Sequence, residues 1–208
     1  MMITLSGKMK ISHIAVLLLL FSMNAMAGNT AIDSHPAQLV VKETTDKVLA
    51  VLEEKQNPQQ INQLINDIVL PNFNFEQMSK WSLGKQWNKL EEDKQALFVS
   101  HFQQLLVNTY ATALASFDNQ SIDIWQAKFG KNKRVAIVPT VITLANAKPL
   151  HINYMMMEGE NGWKVVDMSI SGVSLIKNYR ATYASAIRKE GFDVLMQNII
   201  KKNELAGL

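Results

Sequence analysis

Apolar positions recur at helical spacing through the first half of the chain. Val40, Val41, Thr44, Val48, Val51 and Leu52 share one helical face. Ser34 is placed to cap that helix, and Pro36 is tolerated in its first turn. Asn57-Pro58 signals a second start, and Ile61, Leu64, Ile65, Ile68 and Val69 form its stripe. Pro71 ends that stripe, because the residue before a proline is pushed out of helical space. Phe73 to Leu83 reads as a short helix dense in large side chains, closed by Gly84. Asn88 with Glu91 resembles a capping box. It opens a long helix from about Glu91 to Ser116, with Leu97, Phe98, Phe102, Leu105, Leu106, Thr109 and Ala113 on one wide face.

The period changes near Phe117. Ile122 to Trp125 alternates, Val135 to Leu144 carries branched residues on both faces, and Leu150, Ile152, Tyr154 and Met156 alternate with His151, Asn153 and Met155. Gly159 to Gly162 marks a turn, after which Trp163 to Ile170 returns as a strand. Short connections predict hairpins and an antiparallel sheet of about four to five strands. Pro139 belongs on an edge or at a bulge, since it lacks the donor a ladder needs. Ser174 caps a helix through Ile176, Tyr179, Tyr183 and Ile187, Gly191 ends it, and Phe192 to Ile200 makes a last helical stripe. Helices, a meander of strands, then helices again is an α+β arrangement in which helices pack on the sheet.

The N-terminus changes this picture. Lys8 and Lys10 precede an uninterrupted apolar run, Ile14 to Phe21, and then Ala25-Met26-Ala27. A positive region, a short apolar core and a small-x-small site make a cleavable secretory signal. The run is too short for a bilayer, which needs about 20 residues. Residues 1–27 are therefore expected to be removed, leaving 28–208 as a single soluble domain outside the cytoplasm. Removing Lys8 and Lys10 lowers the formal net charge from +3 to +1. That weakens a nucleic-acid reading, which needs a basic stripe. The remaining basic cluster, Lys128, Lys131, Lys133 and Arg134, reads as a solvated turn before it reads as a docking patch. There is no cysteine, so disulfides, thiol catalysis and a lipidated N-terminal cysteine are excluded.

Catalytic patterns are missing. His35, His101 and His151 stand at no metal-ligand spacing from one another, and neither a G-x-S-x-G elbow nor a phosphate-binding glycine loop occurs. Asp167 is an acid inside a predicted strand, between Val166 and Met168. It reads as a carboxylate held by backbone at the sheet-to-helix turn, or as a general base with a raised pKa. What remains is apolar surface in surplus, with Met155-Met156-Met157 as adjustable filler. A solid helix-on-sheet core and a cavity between sheet and helices both account for it.

Specific residues then resemble a family. Leu70-Pro71 before Phe73, Leu83-Gly84-Lys85-x-Trp87, Phe98, Phe102, Leu105-Leu106 and Tyr110 are similar to the first half of the MlaC family of periplasmic phospholipid-binding, or toluene-tolerance, proteins. Trp163-Lys164-Val165-Val166-Asp167, Gly172-Val173-Ser174-Leu175, Asn178-Tyr179-Arg180 and Gly191 resemble its second half. The resemblance covers roughly residues 38 to 200. It departs at Asp93-Lys94-Gln95, where the family pattern has a Gln-Arg pair.

The resemblance implies a nuclear-transport-factor-2-like cone with an added helical lobe and an apolar cavity. The cavity would shield the acyl chains of a glycerophospholipid, carried as cargo and not as a cofactor. It also implies a soluble periplasmic carrier rather than an enzyme. That carrier would exchange lipid with an outer-membrane lipoprotein complex and an inner-membrane ABC transporter bearing a lipid-binding hexamer, and so maintain outer-membrane lipid asymmetry. Two alternatives stand beside it: an isomerase or hydratase on the same cone with Asp167 as base, and a periplasmic scaffold with a solid core. For the carrier, Phe98, Phe102, Leu106 and Tyr110 are the expected wall on the long helix. Val138, Val141, Ile152, Tyr154 and Val165 are the expected opposite wall, and Leu83 and Val173 complete the candidate set. Both strand faces are apolar, so a one-residue slip exchanges them and the sequence leaves the inward face open.

Overall fold

A computed structural model describes residues 34–52, 58–115, 121–143 and 148–206. Residues 1–27, expected to be a signal peptide, and Asn57 lie outside the described residues.

Helix α1 (Pro36–Leu52) starts as its proline predicts, but His35 rather than Ser34 caps it, its Nδ1 accepting from the Ala37 amide at 3.1 Å. Helix α2 (Pro58–Leu64) continues into a wider π turn (Ile65–Val69) and a 3₁₀ turn (Leu70–Asn72), so Pro71 does not end the helical run as expected: Leu70 before it keeps helical backbone (φ −59°, ψ −36°), and the chain turns extended only at Phe73. Helix α3 (Phe75–Leu83) is capped by Asn74, whose Oδ1 accepts from the Gln77 amide at 2.9 Å. Gly84 ends it at φ +57°, in the left-handed region that favours glycine, and a Cβ there would meet the Arg180 guanidinium at 3.0 Å. The expected capping box does not form. Asn88 sits inside a 3₁₀ turn (Gly84–Lys89), and helix α4 (Glu92–Ala115) begins three residues after that turn ends. The side-chain amide of Gln95 holds the junction instead, donating to the carbonyls of Trp87 and Leu90.

The sheet is antiparallel and six-stranded: β1 (Ser121–Ile124), β2 (Lys128–Phe129), β3 (Val135–Thr143), β4 (Leu150–Gly159), β5 (Gly162–Ile170) and β6 (Val173–Ser174). Its order is β1-β3-β4-β5-β6, with β2 beside β1 along the same edge of β3. Pro139 lies in an interior strand, yet the rule against it is kept. Ile124 pairs with Thr140 and Lys128 with Ile137, so the neighbouring strand is interrupted opposite Pro139. The Pro139 carbonyl accepts from the Trp125 amide, and its donorless nitrogen faces the same gap. A bulge sets β5 against β4: Met156 pairs with Val165 and Met155 with Asp167, leaving Val166 as the extra residue.

Helices α5 (Leu175–Glu190) and α6 (Phe192–Ala206) complete the chain. They pack with α3 and α4 into a helical lobe whose core is aromatic. Phe98 and Phe102 stack at 5.5 Å, and Tyr179, Tyr183 and Phe192 close around them. A second apolar cluster joins Ala37 and Val41 of α1 to Ala136, Val138, Met156, Trp163 and Val165 of the sheet. A third gathers Val48 with Ile61, Leu64 and Ile65. The architecture is the expected α+β one.

Candidate functional site

The three clusters do not merge into one core. Where they approach each other the structure has a cavity of about 530 Å³. Members of all three reach its wall: Met78, Leu106 and Leu175 from the lobe, Val41 and Val165 from the second cluster, Val48 and Ile65 from the third.

Register decides which strand face meets it. Ile142 pairs with Leu150, Thr140 with Ile152 and Val138 with Tyr154, so these residues share a face. Helix α1 covers that face through Ala37 and Val41. The bulge then keeps β5 in phase, with Val165 before it and Met168 and Ile170 after it all lining the cavity. Asp167 is sent the other way. It is buried, accepts from Ser174 Oγ at 2.5 Å and from the Ile176 amide at 3.0 Å, and so ties β5 to the start of α5. It does not line the cavity.

No charged side chain lines the cavity among the described residues. Its polar members largely spend their donors locally. Thr44 Oγ1 donates to the Val40 carbonyl at 2.7 Å, and Asn72 Nδ2 donates to the Ile68 carbonyl at 2.8 Å. Tyr154 is enclosed by protein, which pushes its hydroxyl pKa up, yet the side chain keeps accessible surface because one side faces the cavity. Burial also raises the Tyr110 hydroxyl. Such a wall offers dispersion and exclusion of water, with little to polarise a reacting group. No group of metal-ligating side chains occurs among the described residues, nor any helix long and apolar enough to cross a membrane.

Of the residues singled out by sequence, the cavity brings together Leu106, Tyr110, Ile152, Tyr154 and Val165. Phe98 and Phe102 lie on the lobe side of α4, fully buried among aromatics, and Leu83 joins them. Val138 is on the cavity-side face but sealed beneath α1. Val141 pairs with His151 and points to the opposite face, and Val173 is 64% exposed in the β5–β6 hairpin. The wall that sequence reasoning missed is α1, where Val40, Thr44, Thr45, Leu49 and Leu52 line the cavity. Its signal was visible, but an amphipathic stripe reads the same whether it meets a core or a cavity.

Comparison with known proteins sharpens the reading. The sequence model of the MlaC protein family matches residues 42–201. The chain belongs to the MlaC family. Among its MlaC relatives is the intermembrane phospholipid transport system binding protein MlaC of Haemophilus influenzae, 25% identical over 179 residues, covering 82% of this chain and 84% of the relative. The toluene tolerance protein ttg2D of Pseudomonas putida is 27% identical over 185 residues, covering 86% and 83%. A phospholipid-binding protein from Ralstonia solanacearum, solved in complex with a phospholipid, superposes with a TM-score of 0.75 at 28% identity, covering 84% of this chain and all of that one.

Proposed function

We propose that this chain is a periplasmic phospholipid carrier that holds acyl chains in the cavity between α1, α4 and the sheet. The observation that carries the reading is the cavity itself: about 530 Å³, apolar, with no charge on its wall among the described residues. Cavities cost a protein about 24 cal/mol per Å³. This space is partly open, so it costs less than a sealed void of its size, but its walls still forgo the contacts a filled core would give them. Water offsets little of that cost, since each molecule needs two to four polar partners. An acyl chain offsets much of it, at about 0.8 kcal/mol for every methylene leaving water. The phospholipid bound by the Ralstonia protein of the same fold supports this choice of occupant.

In this reading Leu106, Tyr110, Ile152, Tyr154 and Val165, with the α1 residues, contact the chains, and the headgroup faces water. Residues 1–27 are a signal peptide cleaved after Ala27, and residues 28–208 act without catalysis or cofactor. The partners are an outer-membrane lipoprotein complex and an inner-membrane ABC transporter with a lipid-binding hexamer. Exchange between them would maintain outer-membrane lipid asymmetry. Native mass spectrometry of the protein as purified, followed by solvent extraction, tests the central point. A mass increment that extraction removes and that fragments as a glycerophospholipid is expected. Protein at its bare mass, with nothing extracted, would contradict the reading.

A further inference from the structure

The sheet has a second face. Opposite the cavity side, register places Val135, Ile137, Val141, Met155 and Met157 together, all half-buried. Among the described residues no helix packs its apolar stripe on this face of β3 and β4, since α1 meets the other one. At its β2 edge stands Trp125, 53% exposed, its backbone amide donating a hydrogen bond to the Pro139 carbonyl. Lys128 follows, paired with Ile137 and therefore on the same face. The turn beyond carries Lys131, Lys133 and Arg134, all exposed. None of these four basic residues is ion-paired among the described residues, and no acid occurs between Ile124 and Arg134. Asp123 at the same edge, Glu158 near the end of β4 and Glu160 in the β4–β5 turn are the nearby acids in sequence and register. The segment is also rooted. Phe129 lies 4.4 Å from the His35 ring, His35 lies 5.1 Å from Trp163, and Lys133 sits over the Phe129 ring at 5.6 Å.

We propose that this outer sheet face, led by Trp125 and the basic turn 128–134, docks the protein on a bilayer surface bearing anionic headgroups. Tryptophan beside lysine is the pair that a membrane interface accepts, the ring at headgroup level and the cation toward phosphate. Basic side chains near an anionic surface each strengthen binding about fivefold, and salt weakens the effect. Half-buried Met155, Met157, Ile137 and Val141 give the contact an apolar floor. With a net charge near zero once the signal is gone, attraction must come from this local patch. The proposal rests on this surface and stands apart from what the cavity holds.

Sedimentation with vesicles tests it, using phosphatidylglycerol mixed with phosphatidylethanolamine against pure phosphatidylcholine. The purified protein should pellet with the anionic vesicles at low salt and be released by salt. Changing Lys128, Lys131 and Lys133 together to Gln should weaken binding about a hundredfold. Trp125→Ala should weaken it about tenfold while leaving the salt dependence in place. A control of equal charge, Lys189, Lys201 and Lys202 to Gln on the far helices, should bind as the parent does, and circular dichroism should show every variant folded. No binding by the parent, equal loss in the control, or full binding by the lysine variant would each overturn the proposal. So would equal binding to polyglutamate with no dependence on Trp125, which would assign the patch to an acidic protein.

Discussion

The helical lobe and the α1–sheet half of this chain are built from similar apolar stripes and meet opposite ends. In the lobe, Phe98 and Phe102 project from α4 into rings contributed by α5 and α6, and no surface of either is left uncovered. In the other half, α1 brings Val40, Thr44 and Val48 toward Ile142, Ile152 and Ile170 without filling the space between. Flat aromatic rings from three helices interlock, whereas short branched side chains from a helix and a sheet leave a gap. Helix α4 serves both halves: Phe98 and Phe102 stay inside the lobe core, Leu106 and Tyr110 belong to that core and also reach the cavity, and Val107 lines the cavity beside the third cluster. The lesson is that apolarity alone does not make a core; the reach of the facing side chains decides.

The largest effect should separate the halves. Phe98→Ala removes a ring from a close-packed site and should cost about 3–5 kcal/mol. Ile152→Ala trims a side chain that already faces the cavity, and should fall below the ~2–5 kcal/mol typical of a packed Ile→Ala change. Urea unfolding of both variants, freed of extracted lipid, checks this. Equal costs would break the comparison.

Asp167 sharpens it from the seam. Its carboxylate takes bonds from Ser174 and the Ile176 amide where β5 hands over to α5. Asp167→Asn should cost about 1.5–3 kcal/mol and leave extractable lipid unchanged. Loss of lipid with stability intact would return the acid to the site.

The smallest effect lies inside the lobe. The Tyr183 hydroxyl is buried without a hydrogen-bond partner among the described residues. Burial pushes its pKa well above the ordinary 10.0. Tyr183→Phe should therefore be neutral, or stabilising by up to about 1 kcal/mol at neutral pH. The raised folded pKa means the folded state keeps its proton when the unfolded chain begins to lose it. Stability should then fall as pH rises above 10, and the Phe variant should lose less of it in a pH series of thermal melts.

Much of this organisation was legible in the sequence. Period separated helices from strands, and Ser174 and Gly191 bounded α5 as expected; Pro139, expected on an edge or at a bulge, sits instead in an interior strand opposite a gap. The division of α4 between two surfaces could not be anticipated, because its apolar face is wide enough to serve both. Nor could the inward strand face, which depends on α1 covering Val138 rather than Val141. The bulge at Val166 was hidden because Val165, Val166 and Met168 are all apolar, so the shift of phase between Val165 and Met168 leaves no mark.

The central claim is that one face of the sheet, and only that face, shields lipid. Val141 and Ile142 are neighbours on β3 pointing to opposite faces, and only Ile142 lines the cavity. The direct measurement is the lipid-to-protein ratio of Ile142→Trp, Ile152→Trp and Val141→Trp, each shown folded by circular dichroism. The account predicts that both isoleucine variants lose most of their lipid while Val141→Trp keeps it. Folded Ile142→Trp and Ile152→Trp that retain lipid at the parental ratio, or a Val141→Trp that loses it, would contradict the account.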